Sequence, residues 1–81
     1  MLSADEERRY NVLIDQSLGN ARGSLNSIGG RSLNPEQQTT LQQIQDFIQQ
    51  AQDTRKSDLL AAKGLSDKAE VLARDLAASV K

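Results

Sequence analysis

Residues 57–80 read SDLLAAKGLSDKAEVLARDLAASV. Ala62, Leu65, Ala69, Leu72, Leu76 and Val80 follow one another at steps of 3, 4, 3, 4 and 4. At about 3.6 residues per turn, that spacing holds them on one side of a helix. Leu59, Ala73 and Ala77 widen the stripe into a face broad enough to cover a core. Lys63, Asp67, Lys68, Glu70, Arg74 and Asp75 mostly fall outside it. Glu70 and Arg74 are expected to form an i,i+4 ion pair contributing about 0.3 kcal/mol. Ser57 or Asp58 is placed to cap the first turn, its side-chain oxygen accepting backbone N–H bonds. Gly64 costs about 1 kcal/mol relative to alanine inside a helix. It marks either close approach by a neighbouring helix or an exposed surface position. Alanines at both ends of the stripe allow tight packing but supply little apolar area.

An amphipathic helix needs partners for its apolar face, and two further segments supply them. Ser3-Ala4-Asp5-Glu6 fits a capping box, with Ser3 at the N-cap and Glu6 three residues on. Asp5, Glu6 and Glu7 then place negative charge at the positive end of the helix dipole. Tyr10, Ile14, Leu18, Ala21, Leu25 and Ile28 recur at steps of 4, 4, 3, 4 and 3, with Leu13 on the flank. Gly19 and Gly23 form a GxxxG spacing, read in this polar context as a thin, weaker region. Gly29-Gly30 ends the segment, because glycine tolerates the left-handed conformation common after a helix terminus.

Asn34-Pro35-Glu36-Gln37 is the sharpest local signal. Asn34 is a good N-cap, Pro35 suits the first helical position, and Gln37 can reach back to complete a second capping box. Leu41, Ile44, Ile48 and Ala51 make the stripe that follows, with Phe47 beside them. Glutamines dominate the opposite face, which reads as an uncharged solvated surface. Arg55-Lys56 lie near the negative end of this helix, and Ser57-Asp58 turns the chain into the next.

The chain has 81 residues, enough for one domain with a modest core. Ten basic and eleven acidic residues give a net charge of −1, and the basic ones are dispersed. Neither nucleic acid nor an anionic membrane is therefore an expected partner. Tyr10 and Phe47 are the only aromatics, too few for base stacking. Cysteine and histidine are both absent, so disulfides, thiolate metal sites and the usual zinc or nucleophilic-triad chemistry are not expected. The Gly-Ser and Gly-Arg-Ser pieces at residues 22–24 and 29–32 follow no strand and carry no Walker-type Gly-Lys-Ser/Thr, and read as helix-ending segments. No apolar run approaches the roughly 20 residues of a membrane span. Met1-Leu2 leads straight into a polar segment, so no signal peptide is expected. The chain is expected either as it stands or as a domain excised from a longer protein.

Ser57-Asp58-Leu59 at the turn, Ala62, and Lys68-Ala69 one helical face later resemble the second half of a tetratricopeptide repeat. That resemblance implies two helices held close by their small residues. Ser66 stands where the family usually has a large apolar residue, and no second copy of the pattern follows, so the segment reads as a single helical hairpin rather than an array. The longer run from Leu33 to Ala77, beginning LNPEQQTTLQQIQDFIQQAQ and including SDKAEVLARDLA, is similar to a C-terminal helical hairpin of uncharacterised bacterial envelope proteins and lipoproteins. This implies a domain of a larger envelope protein. LNPEQQ and SDLLAAKGLSDKA also resemble three-helix immunoglobulin-binding modules, from which no binding residue is carried over.

The expected fold class is all-α: a three-helix up-down-up bundle in a single domain spanning residues 1–81. Helix 1 should cover about residues 4–27, helix 2 about 35–54 and helix 3 about 58–80, each about 30–36 Å long. The alternative is a helical hairpin completed by dimerisation. The expected function is a non-catalytic protein-interaction module, with a structural or oligomerising spacer and a small-molecule or lipid carrier as alternatives. The expected partner is another protein or a second copy of the chain, with no metal or cofactor. Leu13, Phe47, Leu59 and Leu60, on the shoulders of the stripes, are the candidate contact residues, because large apolar side chains dominate interface energy. The competing expectation is that all four simply complete the core.

Overall fold

The computed structural model describes residues 2–80. Three helices fill most of that length: α1 (Ala4–Ile28), α2 (Pro35–Thr54) and α3 (Leu59–Ser79). Their ends follow local chemistry. At α1, the Glu6 N–H donates to Ser3 Oγ at 3.1 Å and the Ser3 N–H donates to Glu6 Oε1 at 3.1 Å. At α2, Asn34 and Gln37 make the same reciprocal pair at 2.8 and 2.9 Å, with Pro35 in the first turn. Asp58, rather than Ser57, caps α3 by accepting from the Ala61 N–H at 3.1 Å. Gly29 ends α1 with φ 59° and ψ −136°. This is not the left-handed helical well expected there, but a positive-φ conformation that glycine adopts at little steric cost.

The helices run up, down and up. Ser17 bonds Asp67 and Asn20 bonds Glu70, so α1 and α3 are parallel. Gln37 bonds Ser79 while Phe47 lies beside Lys68, so α2 runs antiparallel to α3. The result is a rod of 45 × 17 × 15 Å. Helix α3 is its hub: it packs closely along both others, whereas the α1 and α2 backbones barely meet.

Side-chain size accounts for that asymmetry. Ala62, Ser66, Ala69 and Ala73 are wholly buried along one line of α3. Small side chains bring two neighbouring backbones in close. The core's bulk comes from the other helices, chiefly Ile14 and Leu18 of α1 and Ile44 and Ile48 of α2. Leu65 and Leu72, placed on the stripe by spacing, are only half-buried and pack at its shoulder. Ser66 takes the central position instead, its hydroxyl donating to the Lys63 carbonyl at 2.9 Å, so that its own buried oxygen has a partner. Ser17, also buried, donates to Asp67 Oδ1 at 3.0 Å.

Tertiary partners override two local expectations. Glu70 accepts from Asn20 Nδ2 at 2.5 Å on α1 instead of pairing with Arg74. Among the described residues Arg74 reaches only its neighbour Asp75, at 3.9 Å. The i,i+4 pair that does form in α3 is Lys63–Asp67, at 2.5 Å. Arg55 leaves the end of α2 and clips α1, donating to the Asn11 carbonyl, to Asn11 Oδ1 at 2.9 Å and to Asp15 at 2.7 Å. At the other end of the rod Arg31 donates to the Val80 carbonyl at 3.1 Å. The glycines inside the helices mark no close approach: a Cβ at Gly19, Gly23 or Gly64 would meet nothing within 4 Å.

Candidate functional site

The four candidate contact residues do not share one surface. Leu60 is 56% exposed and Leu13 37% exposed, whereas Phe47 and Leu59 are half-buried against the core. Leu59 and Leu60 lie at the end of the rod, in a mixed recess with Leu2, Glu7, Asn11 and the Arg55–Asp58 turn. Leu13 lies on α1. Phe47 lies in the seam between α2 and α3.

That seam holds a strongly apolar shallow recess, lined by Phe47, Asp67, Lys68, Val71 and Leu72. Val71 is 43% exposed and lies on no apolar stripe that spacing defines. The signal that could have found it is a lone β-branched residue among Asp67, Lys68, Glu70, Arg74 and Asp75 on the otherwise polar side of α3. Val12, 54% exposed on α1, carries a similar signal but lines no recess with Phe47. Scattered exposed apolar residues are ordinary. The α2–α3 seam differs because three apolar side chains adjoin in one shallow, nearly flat strip.

Its polar neighbours are disposed to leave that strip bare. The Asp67 carboxylate is occupied from the α1 side by Ser17 and along α3 by Lys63. The Lys68 ammonium lies over the Phe47 ring, 6.0 Å from its centroid, at the outer reach of a cation–π contact. Among the described residues Lys68 has no carboxylate within ion-pair distance. The strip is therefore carbon edged by one free cation.

The opposite seam, between α1 and α3, is polar and small-sided. Gly19, Asn20, Gly23, Ser24 and Ser27 face Glu70 and Arg74 across it. Among the described residues no cluster of acidic, histidine or cysteine side chains could hold a metal ion, and no helix is long and apolar enough to cross a membrane. The Glu6 carboxyl is held below its ordinary value of 4.5, first by the hydrogen bond from the Ser3 backbone N–H and then by the Ser3 hydroxyl. Its perturbation thus belongs to the α1 cap. No family model matches the chain, and no curated protein or solved structure matches it.

Proposed function

We propose that the chain is a non-catalytic helical interaction module that receives a protein surface in the seam between α2 and α3. The observation that carries this reading is Val71, 43% exposed beside Phe47 and Leu72 in a recess whose acidic neighbour is turned elsewhere. A groove between two antiparallel helices takes a third helix by burying apolar anchors spaced along it. Burying an exposed valine contributes about 1.5 kcal/mol or more, and the 43% of Val71 still exposed leaves under half of that to gain, so Val71 with its neighbours supports only a weak affinity. A photo-crosslinking side chain at Val71, in the native cell, is expected to give a discrete adduct. The same group at exposed Gln49 is expected to give none. No adduct at Val71, or equal labelling at both positions, overturns the reading.

A second reading, a structural spacer, is supported by the rod shape of 45 × 17 × 15 Å. Fusing domains to the two ends and measuring their separation tests it. A carrier role has less support, because the recesses are open grooves along the seams and a ligand would lie on the surface. The setting in a larger bacterial envelope protein rests on the resemblance of the Leu33–Ala77 run. Fractionation of cells making the native gene product, with its intact mass, tests that setting.

A further inference from the structure

The outer strip of α3 reads Gly64, Lys68, Val71-Leu72, Asp75, Ser79. Lys68 precedes Val71 by three residues and Asp75 follows Leu72 by three; Gly64 precedes Val71 by seven and Ser79 follows Leu72 by seven. Residues seven apart on a helix return to nearly the same face. Lys68 and Asp75 therefore share a side of α3, with opposite charges equally spaced about an apolar centre and a small residue beyond each.

Such a pattern is its own complement when turned end over end. A two-fold axis crossing α3 between Val71 and Leu72 sets the strip antiparallel to its copy. Each Lys68 then meets the other copy's Asp75, and Val71 and Leu72 meet their equivalents at the centre. Gly64 and Ser79 then lie across from each other beyond the charge pairs, where small residues offer no obstruction.

The charged pair is available for this, although the Ser79 hydroxyl already accepts from Gln37 on α2 and Lys68 lies over the Phe47 ring. Lys68, Asp75, Gly64 and Ser79 are exposed, and a Cβ at Gly64 would meet nothing within 4 Å. Lys68 has no ion-pair partner among the described residues, and Asp75 has only the 3.9 Å contact to its neighbour Arg74. A net charge of −1 sets up little general repulsion between copies. We propose that the α2–α3 face binds a second copy of this chain, antiparallel, through two reciprocal Lys68–Asp75 pairs around Val71 and Leu72. This rests on the reading of that seam as an interaction surface and names its occupant.

The test is sedimentation of the purified chain between about 10 µM and 1 mM, the range in which a small interface associates. A monomer–dimer equilibrium is expected, weakening at high salt as exposed charge pairs are screened. Lys68→Asp and Asp75→Lys, each at an exposed position, should weaken the dimer about tenfold or more by setting like charges together. The double variant carrying both changes should restore it, because the swapped pattern is again self-complementary. A monomer throughout the range, a dimer indifferent to the single reversals, or failure of the double variant to recover overturns the proposal. If the chain stays monomeric while crosslinking at Val71 still gives a discrete adduct, the second copy is wrong and the interaction surface stands. If the adduct is also missing, both fall.

Discussion

Replacing Ser66 by leucine, and separately by alanine, tests the close packing of α3. Ser66 is fully buried between Ala62 and Ala69 on the line where α3 meets both neighbours. The tetratricopeptide resemblance would put a large apolar residue there; the structure has no room for one. Leucine must push α1 or α2 away, and overpacking of this kind costs about 1–3 kcal/mol, occasionally more. Domains of this size carry about 4–12 kcal/mol in all, at 0.05–0.15 kcal/mol per residue. A loss of 2–3 kcal/mol should lower Tm by about 10–20 °C. Alanine loses the Ser66 hydroxyl's bond to the Lys63 carbonyl, but that carbonyl keeps its place in the helix ladder and alanine is the better helix former. Ser66→Ala should therefore change stability by no more than about 0.5 kcal/mol. Thermal and urea unfolding followed by circular dichroism read both variants. A Ser66→Leu protein as stable as the parent would refute the argument, because it would mean that α3 packs loosely where it is described as closest.

Two further outcomes follow from single residues. Gly19→Ala and Gly23→Ala meet open space on α1 and should each stabilise the fold by about 0.5–1 kcal/mol, additively, in urea unfolding; a loss at either position would show a contact on that face. The Glu6 carboxyl is depressed in the folded chain, so its cap contribution is fully present above the ordinary value of 4.5 and fades as pH falls through the lower folded value. The stability difference between the parent and Glu6→Ala should accordingly hold steady at neutral pH and shrink in acid, and a difference unchanged at low pH would contradict the assignment.

Much of the architecture was legible locally. The Ser3–Glu6 and Asn34–Gln37 boxes form as their spacing implies, and Pro35 and Gly29 sit where α2 begins and α1 ends. Helix boundaries fall within a residue of expectation, since caps depend on atoms three or four positions apart. The candidate site was less legible. Phe47 is legible as an aromatic beside a stripe, whereas Val71 lies on no stripe that spacing defines. Only the antiparallel placement of α2 against α3 brings the two to one recess. Leu13, Leu59 and Leu60 share the same kind of shoulder position, but none of them lines that recess, and Leu59 and Leu60 sit together at the end of the rod instead.

The sequence by itself determined the number of helices, their ends and the small-residue face of α3, because capping and periodicity are settled within a turn or two of chain. Tertiary structure alone decided that α3 is the hub, that Ser66 is buried while Leu65 and Leu72 stand at the shoulder, and that Glu70 answers Asn20 rather than Arg74. It alone sent Arg55 across to Asn11 and Asp15. Each of those outcomes depends on a partner on another helix, between about twenty and fifty residues away in sequence, whose distance is set by how closely small side chains let two backbones approach.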